Sequence, residues 1–375
     1  MTFSVIIDQN KLKKTCLLLI FCFFLFLIGH FPDFVEKYYS AIFYPLVGKL
    51  LRISIGWLPF SLGDCLYFII GSRLLLLCIK QFRQSINYFL FFDFSRVVNS
   101  LGKWIRLMCW VYIIFKTIWG LNYDRKGIAY QLVIHPNAYS KEQIVDLTKE
   151  LITQANYCRK LLNDSTLQEM PVQAIIRATC KNYEALSVVY PFLRYTPSSI
   201  KETFYTPLAD YVGFTGYYNP FTGEAQIRTD VPRILLPFIV SHEIAHQIGY
   251  ASESEANFVG YLAASNSQNP YFQYATYLEL LNYAIAEEYM LYAKENDFMQ
   301  FKAIIEYNNQ HIDTLVKKDR KLIREFFYKR KNNIVPISNS LFDQFLKMNK
   351  QVAGINSYNE VLGWLLAYKA KYGKR

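Results

Sequence analysis

The chain holds five histidines in 375 residues, and two of them stand four positions apart around a glutamate: His242-Glu243-Ile244-Ala245-His246. On a helix, positions i and i+4 share a face, so two imidazoles at this spacing can reach one metal ion. Glu243 projects toward the same ion. In such a site Zn2+ lowers the pKa of a water and the glutamate takes that water's proton. The bland alternative is a helix with two surface histidines. The flanks weigh against it. Ile234-Leu235-Leu236-Pro237-Phe238-Ile239-Val240 is apolar, as a buried helix requires, and Gly249 breaks the helix just beyond the pair.

A catalytic zinc takes three protein ligands and keeps one position open. A fresh acidic helix start follows at once, Ser252-Glu253-Ser254-Glu255-Ala256-Asn257. Glu253 and Asn257 lie one turn apart, so one can bind metal while the other holds an imidazole from behind. Glu255 has a competing structural role, because Ser252-x-x-Glu255 is a capping box that turns the glutamate back to the backbone. The expected site is therefore His242, His246 and Glu253 as ligands of Zn2+, Asn257 behind them and Glu243 as catalytic base. Glu255 is the less favoured third ligand.

Such chemistry also needs a donor for the developing oxyanion. Tyr217, Tyr218, His311 and Tyr358 are candidates, although His311, following Asn308-Asn309-Gln310 at an expected helix head, suits a solvated or capping role. His30 and His135 read as interfacial and loop residues. The clearest strand signal is Val212–Arg228, where aromatic and β-branched residues flank the turn cluster Asn219-Pro220-Phe221-Thr222-Gly223. Within it, Phe214–Gln226 is the candidate edge on which an extended peptide would pair by main-chain hydrogen bonds.

HExxH followed by E-x-x-A-N resembles the gluzincin pattern, as in CAAX-prenyl-protease-type and related membrane metallopeptidases, which carry E-x-x-A-D. By position, the resemblance implies His242, His246 and Glu253 as ligands and Glu243 as base. Asn257 stands where those families usually have Asp, and only six residues separate His246 from Glu253. Metzincins have a similarly short spacer, but Ser252 occupies their third-ligand position here. Over nearly its whole length the chain also resembles a family of uncharacterised bacterial integral-membrane proteins, a domain of unknown function. The shared features are three N-terminal apolar segments, Trp119-Gly120-Leu121-Asn122-Tyr123, the run Gly216–Ala225, the HExxH segment, and Gly354-Ile355-Asn356-Ser357-Tyr358. This second resemblance implies a membrane protein and no particular substrate.

The elements that must carry this site divide the chain at residue 121. Hydrophobic residues make up 52% and aromatics 17%, above the roughly 45–50% apolar content of a soluble globule, and the excess sits in residues 1–121. Three apolar segments are expected to span a membrane: Thr15–Phe31, which has no charged residue over 17 positions, Leu62–Ile79, interrupted by Arg73, and Trp104–Leu121, which contains Arg106 and Lys116. A cleaved signal peptide is the competing reading of the first. The internal charges would face protein or reach toward the interface. Tyr38–Pro59 is amphipathic and reads as lying on the membrane surface.

The net charge of +11 invites a nucleic-acid reading, and its location argues against it. Residues 1–121 hold 13 Lys/Arg against 5 Asp/Glu, a net of +8, leaving +3 for residues 122–375. The run Lys317-Lys318-Asp319-Arg320-Lys321 reads first as a solvated helix face and second as a patch for anionic lipid or phosphate. Five of the seven cysteines lie in apolar segments. Cys158 and Cys180 could pair in an oxidising compartment, and no Cys-x-x-Cys occurs.

Residues 122–375 are expected to form a mainly helical α+β, zincin-like metallopeptidase domain. Ser140-x-x-Gln143 is a capping box opening a helix whose apolar set is Ile144, Leu147, Leu151, Ile152, Ala155 and Cys158. Helical periodicity returns over 173–188, 232–249, 252–265, 271–294, 311–331, 338–349 and 357–371. The function expected is hydrolysis of a peptide or protein substrate at a bilayer. The alternatives are a non-catalytic membrane scaffold that keeps a structural zinc, and a polytopic transport or assembly component in which HExxH is accidental.

Basic residues fix the expected orientation. The N-terminal flank and the 80–106 loop carry eight Lys/Arg, against three in the 32–61 loop, offset there by Asp33 and Glu36. The N-terminus is thus expected in the cytoplasm of a bacterial cell and residues 122–375 in the periplasm. A reporter active only outside the cytoplasm, fused after Tyr123, should be active. A silent reporter there, with a cytoplasmic one active, reverses the orientation.

Overall fold

The computed structural model describes residues 9–90, 94–136, 138–164, 170–294, 297–351 and 360–373, with the backbone alone for 85–90 and 94–97. The molecule is mostly helical with one small sheet. Helix α1 (Gln9–Ile28) bends by 87° into α2 (Pro32–Ile55), which is π-wound over Val35–Phe43. Helices α3 (Leu62–Leu90) and α4 (Phe94–Ile118) follow, and α4 packs on both α1 and α3. A 3-10 turn, Gly120–Asp124, leads to α5 (Gly127–Leu132), α6 (Lys141–Lys160) and α7 (Val172–Val189). Then come β1 (Ile200–Glu202), α8 (Thr206–Val212), β2 (Gly216–Asn219) and β3 (Glu224–Ile227). The chain finishes with α9 (Leu236–Gln247), α10 (Glu253–Ser265), α11 (Pro270–Lys294), α12 (Phe298–His311), α13 (Thr314–Lys329), α14 (Val335–Met348) and α15 (Val361–Tyr372).

The capping box at Ser140 and Gln143 forms, and the apolar set of α6 is buried against α11. The strand segment resolves into a hairpin. Gly223 takes φ +67 and its N–H donates to the Asn219 carbonyl at 2.8 Å, closing the turn. The sheet order is β1-β3-β2, with β1 parallel to β3 (Ile200↔Ala225) and β2 antiparallel to it (Gly216↔Ile227). Strand β2 is therefore an edge.

Some expectations change. The helix expected over 311–331 begins at Thr314, because the Asp313 carboxylate accepts the Leu315 N–H at 2.9 Å and caps it. His311 ends α12 instead of heading a helix. Cys158 and Cys180 are unbridged, and the Cys158 thiol donates to Gln273 Oε1 at 3.5 Å. The element from Gly354 to Tyr358 lies outside the described residues.

Among the described residues one helix, Leu62–Gln84 within α3, is long and apolar enough to cross a membrane, and a second counts if the bent pair α1–α2 is one span. Helix α1 carries Lys11, Lys13 and Lys14 in its first turns. Helix α4, which holds most of the third expected segment, carries Lys103, Arg106 and Lys116. Two of these charges have partners within the fold: Arg106 Nη1 donates to Thr15 Oγ1 at 3.1 Å and Lys116 pairs with Asp124 at 2.9 Å. Arg73 is exposed on α3. Helix α2 is amphipathic as expected, but with its polar stripe inward. Glu36, Ser40 and Arg52 are buried against protein, while Ile42, Leu46, Leu50 and Ile53 are exposed.

That stripe joins the first third of the chain to the rest. Val35, Tyr39, Tyr44, Trp119 and Leu121 form one buried cluster with Ala251, so packing continues across the boundary drawn at residue 121. Trp119→Ala should cost about 3–5 kcal/mol in thermal unfolding of the full chain in detergent, by loss of a buried ring and its hydrogen bond. Trp110→Ala, within α4 and 53% exposed, should cost far less. Equal effects would separate the cluster from stability.

Candidate functional site

Helix α9 is buried on nearly every side, which is what its apolar sequence before His242 requires. Its last carbonyls need partners, since a helix end leaves four of them unpaired. The His246 carbonyl accepts from Gly249 N–H at 3.0 Å and from Trp119 Nε1 at 3.3 Å. The Gln247 carbonyl accepts from Tyr44 OH at 2.8 Å and Arg52 Nη1 at 3.3 Å. The Gln247 side chain donates to the Ser199 and Gly223 carbonyls at 2.8 Å each and accepts from Tyr195 OH at 2.7 Å. The end of α9 is thus fastened to α2, to the turn after α4, and to the sheet. Gly249 then takes φ +96 and lets the chain reverse into α10.

On this frame His242 and His246 face the first turn of α10. Their Nε2 atoms lie 3.3 and 3.6 Å from Glu253 Oε2. Behind them, His242 Nδ1 meets Asn257 Oδ1 at 2.8 Å and His246 Nδ1 meets the Tyr250 carbonyl at 2.7 Å. Each Nδ1 donates to the acceptor behind it, which leaves Nε2 as the atom that faces Glu253 and that would turn its lone pair to a bound cation. One ligand atom from each of His242, His246 and Glu253 lies within 4.8 Å of the others.

The electrostatics follow from burial and proximity. Burial opposes ionisation of Glu253, yet His246 and His242 hold its carboxyl well below the usual range. Burial also opposes a charge on His246, but Glu253 and Glu243 outweigh it and raise the imidazole to about 9. The pull that draws a proton there would draw a cation. Glu243 is pushed up to about 7 by burial, against the opposing effect of the histidines, and its Oε2 has no hydrogen-bond partner.

Glu255 turns elsewhere. Its Oε1 accepts the Ile128 N–H at 2.7 Å at the start of α5, while Ser252 Oγ pairs with Ser254 Oγ at 3.0 Å and caps nothing. The expected capping box at Ser252 is absent because Glu255 caps a different helix. Glu253, and not Glu255, meets the histidines.

The cluster opens into a cavity of about 1010 Å³ walled by β2, Trp119, Tyr123, Phe238, Tyr283 and Phe345, among others. Strand β2 passes so close to the base that a Cβ on Gly216 would lie inside contact distance of the Glu243 carboxylate. Tyr217 and Tyr218 both line the cavity. Tyr217 OH is engaged by Asp64 at 2.5 Å and Thr203 at 3.0 Å, and Tyr218 OH lies 3.2 Å from Tyr44 OH, whose own proton goes to the Gln247 carbonyl. His311 is exposed, bonded to its own helix through the Tyr307 carbonyl, and absent from the cavity wall. Tyr358 is outside the described residues. His30 and His135 are exposed and remote from the cluster. The sequence assigns no site role to Glu279, Asn282 or Tyr283, and it marks Gly216 and Tyr123 only within the candidate edge or the family segments; all five are in the wall. The i, i+4 pair Glu279–Tyr283 was the one available signal.

The family model described as Protein of unknown function (DUF3810) matches residues 39–366. No curated protein and no solved structure matches the chain.

Gly216→Ala should force β2 or Glu243 aside and cost about 1–3 kcal/mol, the usual size of overpacking. Gly71→Ala, where a Cβ would meet nothing within 4 Å, is the neutral comparison. Matched melting temperatures for the two variants would show that β2 yields freely.

Proposed function

This chain belongs to the DUF3810 family, and from that premise we propose that it is a membrane-anchored, zinc-dependent metallopeptidase. The observation that carries this reading is the convergence of His242, His246 and Glu253 beside the unpartnered oxygen of Glu243, in the wall of a large cavity. His242 and His246 through Nε2, and Glu253 through its carboxylate, would hold the ion. Asn257 and the Tyr250 carbonyl keep the imidazoles in the binding tautomer. When bound, zinc supplies Lewis acidity to water and to the scissile carbonyl.

Glu243 takes the proton of the attacking water and returns it to the leaving amine. A carboxyl raised by burial toward neutrality is suited to both steps. The open edge of β2 offers main-chain pairing to an extended peptide, and the apolar walls exclude bulk water. The domain from 122 onward is zincin-like in this reading. Three N-terminal segments cross a bacterial inner membrane with the N-terminus cytoplasmic, so cleavage takes place on the periplasmic side.

Metal analysis of the full chain in detergent is the first test. Wild type should carry about one zinc, as structural and catalytic sites of this donor set do. His246→Ala and Glu253→Ala should lose it. Glu255→Ala should keep it while losing roughly 1–3 kcal/mol of stability, because the Ile128 N–H is left without an acceptor. Glu243→Gln should also keep zinc, but its hydrolysis of a mixed short-peptide library should fall by about 10²–10⁴. Zinc-free wild type sinks the proposal, and a Gln variant that cleaves at the wild-type rate leaves only a scaffold with a structural metal.

A further inference from the structure

The wall of the cavity contains three carboxylates, Glu243, Glu253 and Glu279, and among the described residues no Lys or Arg. Buried charges are normally matched by an opposite charge. A dication at the histidine pair balances Glu253 and Glu243. Glu279, on α11, shares the wall with no Lys or Arg, and the His242 charge that acts on it is given up when that ring is a metal ligand. Its side-chain partners are Tyr283 and Asn282, both neutral. The wall of the same cavity includes the aromatic and aliphatic residues Phe214, Leu235, Phe238 and Ile239. An apolar chamber with one uncompensated carboxylate selects an apolar ligand that carries one cation.

We propose that Glu279 receives a primary ammonium group of the peptide substrate, its α-amine or a lysine side chain, while the apolar walls take the neighbouring residues. This rests on the metallopeptidase reading and adds the substrate class. Burial raises the Glu279 carboxyl above its ordinary range, as expected of an acid whose counter-charge arrives with the ligand. Position supports the assignment too, since His242 is among the charges that act on Glu279. A cation held there occupies the same cavity as the metal ligands and Glu243. The other role open to Glu279 is support. Tyr283 interacts with Glu279 on one side and Asn257 on the other, and Asn257 holds His242.

The test is binding to full-chain Glu243→Gln protein in detergent, by calorimetry, with three tripeptide amides. These are Phe-Leu-Phe with a free α-amine, its N-acetyl form, and N-acetyl-Lys-Leu-Phe. The free-amine or the lysine peptide should bind at least about tenfold more tightly than the acetyl form, the scale of one charge-assisted hydrogen bond. Whichever of the two binds tightly identifies the source of the ammonium. Adding Glu279→Gln should erase the difference while zinc content stays at that of the parent. Equal binding of all three peptides, no binding by any of them, or a preference that survives Glu279→Gln overturns the proposal. Loss of zinc from the Glu279→Gln variant also overturns it, by making Glu279 a support for Asn257. None of these results touches the cleavage of peptides by wild type, which is measured separately and decides the hydrolase reading.

Discussion

A helix that ends inside a protein must find partners for its last carbonyls, and the arrangement of this molecule depends on how α9 does so. Trp119, Tyr44 and Arg52 come from the first third of the chain, and all three donate to the His246 and Gln247 carbonyls. An unpaired buried carbonyl costs about 1–3 kcal/mol, so these bonds hold α9 at a fixed depth and rotation. The rotation is what turns His242 and His246 toward α10. The side chains behind the imidazoles, and the strand beside Glu243, can be accurate only because this end is held.

The same bonds explain why α2 is built with its polar stripe inward. Arg52 and Glu36 are buried because they have work on the protein side: Arg52 at the end of α9, and Glu36 with Arg125 at 2.6 Å. The apolar residues of α2 are left facing outward. In water this would be a poor bargain, but beside lipid tails it is the favourable arrangement, since hydrocarbon welcomes the outer face and the charges never leave protein. The N-terminal helices and the histidine–glutamate cluster are thereby joined by shared packing and hydrogen bonds. Glu224 makes the same point from the other side: its carboxylate accepts the Leu62 and Gly63 N–H groups at 3.2 and 2.6 Å, so the hairpin that walls the cavity also caps the helix apolar enough to cross a membrane.

Much of the site was legible because its chemistry is local. HExxH sets two histidines on one face by helix geometry alone, and the six-residue spacer is short enough that α10 must return to them. The one-turn spacing to Asn257 singles out Glu253, and Glu253 is the carboxylate that lies beside the two histidines. The reason given for setting Glu255 aside did not hold, because its partner, Ile128, is 127 positions away and no local pattern announces it. Gly216 was unreadable for the same reason, since the need for glycine comes from Glu243 on another element. β1 is three residues long and gives no period to detect. The expected spans rest on runs of apolar residues, and the third run, Trp104–Leu121, contains Arg106 and Lys116, within a helix that also carries Arg96 and Lys103.

The fastening of α9 has a consequence for the order in which the molecule is made. Arg52 and its acceptor are 195 residues apart in the chain. At ordinary synthesis rates of about 5–20 residues per second, that interval is roughly 10–40 seconds. Throughout it, the first-made helices exist without the groups they are shaped to hold. Arg52 and Tyr44 wait with open donors, and the wait ends only when α9 emerges. The polar residues that tie the site together are therefore also those that must be kept satisfied by water until the ribosome has passed residue 247.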